Sequence, residues 1–78
     1  MDSQCRMILQ HMASGKPITP LDALNLYGCF RLSARIFEIR DFGKQYGFEV
    51  VTGKKQIVDR FGNKKIVAEY SLKGEYNV

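Results

Sequence analysis

The hydrophobic pattern of this 78-residue chain changes period once, close to residue 47. From about residue 3 to 43 the apolar residues recur at helical spacing. From about 48 to 72, β-branched residues gather in extended runs. A chain of this length holds one domain and buries only about 60% of its unfolded surface. Both halves must therefore contribute to one core. The expected class is α+β, a helical cluster joined to a small sheet, with no room for a large enzyme's deep, dry active site.

Three helices are expected. The first starts at Ser3 as N-cap and runs to about Ala13, with Cys5, Ile8, Leu9 and Met12 on one apolar stripe. Ser14-Gly15 ends it, the glycine taking the left-handed position. His11 lies on the flank of the stripe, solvated or half covered. Lys16-Pro17-Ile18 is an extended connector. Thr19-Pro20 then starts a short helix to about Leu26, with Thr as cap and Pro at the first helical position, where no N–H is needed. Gly28 turns the chain. A third helix runs from Phe30 or Arg31 to Phe42, with Leu32, Ile36 and Ile39 as its core stripe and Gly43 as its terminator.

The extended segments are Phe48–Thr52, Gln56–Val58 and Ile66–Leu72. Gly62-Asn63 reads as a two-residue hairpin loop. Closing there pairs Arg60 with Lys65, Val58 with Val67, Ile57 with Ala68 and Lys55 with Tyr70. Ile57, Ala68, Tyr70, Leu72, Gly53 and Val51 then share a face. Burying Phe48 as well needs a one-residue slip, for which a bulge at Gly53 is the expected device. Residues 73–78 read as a frayed tail beyond a domain spanning 1–72.

Three helices followed by a hairpin is the order of a winged helix-turn-helix, in which the second and third helices form the helix-turn-helix and the hairpin is the wing. The stretch ITPLDALNLYGCFRLSARI, with EIR and Gly43 after it, resembles a family of small winged helix-turn-helix proteins of bacteriophages and prophages. Thr19, Pro20, Leu21, Ala23, Leu24, Tyr27, Gly28, Cys29, Arg31, Leu32, Ala34, Arg35 and Ile36 stand where that family's motif has them, and VAEYSL resembles its last strand. The resemblance spans roughly residues 4–72. It implies the winged-helix fold and DNA binding, without implying an operator or pathway.

Charge points the same way. Twelve Lys and Arg against eight Asp and Glu give +4, a balance suited to a polyanionic partner. Residues 54–65 carry Lys54, Lys55, Arg60, Lys64 and Lys65 against Asp59, so the wing alone accounts for +4. With Asn63 at the tip, it could lie on phosphates or reach a minor groove, or simply be a charged, soluble hairpin whose lysines guard its edges. On the third helix, helical spacing turns Phe30, Ser33, Ala34, Phe37 and Asp41 outward, with Arg31 and Glu38 to one side and Arg40 to the other. Arg31 is the best base reader because a guanidinium bonds guanine bidentately. Ser33 suits a base or phosphate, and Ala34 or Phe37 a thymine methyl. The amides near Thr19 offer a further phosphate position.

Other chemistries find little footing. One His, two Cys without CxxC spacing and no paired carboxylates provide neither a zinc site nor an acid–base pair. No metal or other cofactor and no enzyme activity are expected. The first residues lack a signal peptide's apolar stretch, and no run approaches a membrane span. The two thiols are read as reduced, in a cytoplasmic protein of the bacterial host.

The leading expectation is a double-stranded DNA binder acting in transcription regulation or as a recombination or excision accessory factor, with a dimer on DNA as one arrangement. The alternative is a module that binds and inhibits a host protein, suggested by the apolar, partly acidic outer face of the third helix.

Overall fold

The computed structural model describes residues 1–74. Its element order is α1 (Ser3–Ala13), α2 (Pro20–Tyr27), α3 (Leu32–Tyr46), β1 (Glu49–Val58) and β2 (Lys64–Lys73). The α+β class and the three-helices-then-hairpin order are as expected.

The starts of α1 and α2 and the ends of α2 and α3 each have a local cause. Asp2, not Ser3, caps α1: its Oδ1 accepts the Cys5 N–H at 2.8 Å. Asp reaches the same amides and adds a negative charge at the positive end of the helix. Thr19 caps α2 in a reciprocal box, its Oγ1 accepting from the Asp22 N–H at 3.2 Å while its own N–H donates to Asp22 Oδ2 at 3.1 Å. Gly28 ends α2 at φ +65°.

Gly43 does not end α3. The helix continues one more turn to Tyr46, and Gly47, at φ +80°, closes it. Gly43 is there for close packing. A Cβ on it would lie 2.6 Å from the Phe48 carbonyl oxygen and 2.9 Å from its ring.

The core joins all three helices to the base of the hairpin. Cys5, Ile8, Leu9 and Met12 of α1 meet Ile18, Ala23, Cys29, Leu32, Ile36, Ile39, Phe48 and Val50, with Tyr27, Phe42, Tyr70 and Leu72 around them. Each aliphatic side chain fully buried there contributes roughly 1.5–3 kcal/mol. His11 is half buried and structural. Its Nε2 lies 3.1 Å from the Pro17 carbonyl oxygen, which can only accept, and its Nδ1 lies 2.7 Å from the Tyr27 hydroxyl. The ring thus ties α1 to both ends of the α2 segment.

The hairpin register differs from the expected one. Val58 pairs with Lys64, Gln56 with Ile66, Lys54 with Ala68, Thr52 with Tyr70 and Val50 with Leu72, without interruption. Gly53 faces Glu69 in regular pairing, not in a bulge. The loop is longer than two residues: Asp59 N–H donates to the Asn63 carbonyl at 2.9 Å, and Gly62 N–H to the Asp59 carbonyl at 3.0 Å. Moving the pairing by three residues puts Phe48, Val50, Tyr70 and Leu72 on one side by simple alternation. Burial of Phe48 therefore needs no slip. Ile57 and Val51 fall on the opposite face from Tyr70 and Leu72.

Ile18 adds a one-residue third strand, exchanging two 2.8 Å backbone bonds with Tyr70. Lys73 belongs to β2 and pairs with Glu49, so the strand outlasts residue 72. The rest of the expected tail, 75–78, lies outside the described residues. Beyond Thr52 and Tyr70 the hairpin continues six residues, about 20 Å, and gives the molecule its long axis of 43 Å against 22 and 19 Å.

Candidate nucleic-acid interface

The third helix presents its N-terminus and one ridge to solvent. Arg31 is its N-cap residue, with no side-chain cap bond. Among the described residues no hydrogen bond or ion pair engages its guanidinium. Ser33 is exposed, whereas Ala34 is half buried and does not point fully outward as expected, because it adjoins the Leu32–Ile36 stripe. Phe30 and Phe37 are 86% and 75% exposed, so neither folds back onto the core.

The acidic character expected on this helix is partly withdrawn from the ridge. Glu38 turns towards α1, where its Oε1 lies 3.5 Å from Arg35 and its Oε2 accepts the Cys5 thiol at 2.8 Å. Arg35 also pairs with Asp2 at 3.1 Å. Burial, then the bond to Glu38, pushes the Cys5 thiol up to about 12, so it stays protonated and serves as a donor. Asp2, Cys5 and Glu38 bring ligand-type atoms within 4.8 Å of one another. Arg35 already supplies the cation between the two carboxylates.

The wing lysines divide between two faces. Alternation along the observed register puts Lys54 and Lys64 on the side of Thr52 and Tyr70, and Lys55 and Lys65 on the other. Lys55 lies 3.9 Å from Glu69, and Lys65 3.6 Å from Asp59. Among the described residues, Lys54 and Lys64 have no carboxylate partner. Their face is the one α3 reaches: Arg40 donates through Nε and Nη2 to the Val50 carbonyl at 3.3 and 3.1 Å, and through Nη2 to Thr52 Oγ1 at 2.7 Å. The unpaired lysines therefore share a face with Thr52, which Arg40 of α3 holds, whereas Lys55 lies on the opposite face and lines a groove with Pro20, Leu24 and Phe30.

At the tip, Asp59 organises the loop. Its Oδ1 accepts from the Asn63 and Phe61 amides, both at 2.9 Å. The Asn63 bond, followed by the Phe61 bond, holds its carboxyl below the ordinary value. Arg60 lies over the Phe61 ring at 5.6 Å, a cation–π distance.

Thr19 is only 6% exposed. Its hydroxyl and amide are both used in the capping box, and Pro20 has no N–H. The Asp22 carboxylate thus already occupies the anion position at this helix start. Beside it, an apolar groove of about 490 Å³ runs between α2 and the wing, lined by Pro20, Leu21, Leu24, Phe30, Ile57 and Val67 among others.

Two residues escaped the sequence reading. Arg40 fastens α3 to β1, a role visible only once Val50 and Thr52 are placed. Phe61 was passed over because the expected two-residue loop, Gly62-Asn63, left it outside the turn. An Asp three residues before a Gly was the available signal for a longer turn.

Among the described residues no helix is long and apolar enough to cross a membrane. No curated protein and no solved structure matches the chain. The family model of a winged helix-turn-helix domain matches residues 3–75, a span that takes in α1, the α2–α3 pair with its Gly28 turn, and the whole hairpin. A fold of this kind suggests DNA binding, and both the architecture and the match say that this chain belongs to the winged helix-turn-helix domain family.

Proposed function

We propose that this protein binds double-stranded DNA. In this reading α3 enters the major groove by its N-terminal end, and the Lys54–Lys64 face of the wing lies along the neighbouring phosphates. The observation that carries it is the division of wing charge, with Lys54 and Lys64 unpaired on the face that α3 shares through Arg40. Arg31 and Ser33 lie about 13 Å and 10 Å along the helix from Arg40, at the end that reads base edges in helix-turn-helix docking. Arg60 and Asn63 extend the contact at the tip. Lys55 and Lys65 add long-range attraction, weakened by their carboxylate partners. Resemblance to small phage and prophage proteins supports a role in transcription regulation or as a recombination or excision accessory factor, working in the bacterial cytoplasm.

Fluorescence anisotropy with a labelled duplex from about 50 to 200 mM salt tests this. Lys54→Ala with Lys64→Ala should flatten the log–log salt slope by about 1.8, at roughly 0.9 for each phosphate no longer neutralised. Lys55→Ala with Lys65→Ala should change it far less. Equal effects of the two pairs would refute the assignment of the face.

The exposure of Phe30 and Phe37 favours a second reading, in which these rings anchor a host protein. Phe37→Ala would then abolish capture of that partner and leave DNA affinity intact. On the DNA reading, Phe37→Ala weakens binding to duplexes with a thymine at the contacted position.

A further inference from the structure

Phe61 is held where an apolar side chain is least expected. It is 78% exposed, at the end of a hairpin that projects about 20 Å past the Thr52–Tyr70 pair. Arg60 and Phe61 fill the two central positions of a turn closed by the Gly62 N–H bond to the Asp59 carbonyl. Gly62, at φ +80°, permits the return of the chain that a side chain would strain. The Asp59 carboxylate fixes the Phe61 and Asn63 amides from below and is itself held by Lys65. Arg60 stands over the ring. The backbone beneath Phe61 is thus locked, and the ring is presented outward.

The surroundings of the ring specify the surface it fits. Arg60 lies over it with its positive charge, Lys64 opens β2 at the base of the same loop, Asn63 adds a hydrogen-bonding group, and Asp59, the acid nearest in the chain, is turned into the loop and engaged. An exposed aromatic ring with a guanidinium over it, on a basic loop, complements a base step beside its phosphates. Proteins that insert Phe or another apolar side chain from the minor groove partly unstack the step and kink the duplex.

We infer that Phe61 is a wedge: on duplex DNA it enters a base step from the minor-groove side and bends the helix. This rests on the DNA-binding reading above and adds to it a distortion that phosphate binding does not require. It also assigns a source of sequence preference outside α3. Pyrimidine–purine steps unstack most readily, so one should be favoured at a fixed distance from the bases facing Arg31.

The chain contains no Trp, so Phe61→Trp supplies a single reporter at the tip. Anisotropy first establishes saturation of a ~30 bp duplex, whose length suits a site plus its bend. Energy transfer between end labels reports bending, and 2-aminopurine placed at successive positions reports unstacking. On saturated duplex, Phe61→Trp emission should be quenched and one 2-aminopurine position should brighten. Phe61→Ala should lose the bend and bind about tenfold more weakly, the scale of removing one base–aromatic stack. Its salt slope should remain, because no cation is removed.

The wedge is overturned if Phe61→Ala bends DNA like the wild type, or if Phe61→Trp emission is unquenched on saturated duplex. It is also overturned, in favour of a membrane surface, if that emission shifts to the blue on phosphatidylglycerol–phosphatidylcholine vesicles and not on DNA. A wild type that binds with a steep salt slope and leaves the duplex straight refutes the wedge alone. A wild type that binds no duplex refutes the DNA-binding reading and the wedge with it.

Discussion

Gly43 shows how one missing carbon can set a junction. In an exposed helix, Gly→Ala stabilises by about 1 kcal/mol. Here the new Cβ would stand 2.6 Å from a backbone oxygen of Phe48, which cannot swing aside as a side chain can. Gly43→Ala should therefore destabilise the fold, by about 1–3 kcal/mol as for other overpacked positions. A urea unfolding curve checks the sign, and a higher midpoint would refute the packing role. Sequence reading misassigned this residue because a glycine at a helix end and one under a crossing chain look alike in one dimension. The observed end, Gly47, is separated from it by only one turn.

At the scale of elements, the helices were legible and the hairpin was only partly so. Thr19-Pro20, Gly28 and the apolar stripes are local signals, and each helix follows from them. Register is a longer-range property, decided by which side chains reach the core. The Gly62-Asn63 pair suggested a tight loop, while burial of Phe48, Val50, Tyr70 and Leu72 on one face chose another pairing. The basic wing was visible as composition. Its division into paired and unpaired lysines was not, because the division depends on that register.

Asp59 is what makes the longer loop stable, and this gives the element its own pH dependence. Bonds from Asn63 and then Phe61 depress its carboxyl. The loop's contribution is therefore complete above the ordinary carboxylate value of 3.8 and is lost as pH falls through the lowered folded value. A chemical-shift titration should show the Phe61 and Asn63 amides moving together with Asp59, with a midpoint under 3.8. A midpoint at or above that value, or amides that do not move, would show that the carboxylate does not hold the tip.

For the whole molecule, cohesion is uneven along the 43 Å axis. The helices and the base of the hairpin share one core, whereas the outer wing relies on ladder bonds and surface ion pairs, the latter worth little individually. Amide exchange should rank accordingly. Ile36 and Ile39 should be slowest, Ile18 and Tyr70 protected with them, and Gln56 and Ile66 fast. Outer-wing amides as slow as those of α3 would contradict this gradient.

The Ile18–Tyr70 bridge sits at the boundary of that gradient, and its position has a mechanical consequence. A hairpin fixed at one end is a lever, and this pair of 2.8 Å bonds is its fulcrum. Ile18 immediately precedes Thr19, whose side chain and amide seat the start of α2. Torque applied at Phe61 is delivered through Tyr70 to the residue beside that cap, and through its partner Thr52 to Arg40 of α3, so a load on the wing reaches both helices of the helix-turn-helix at one level.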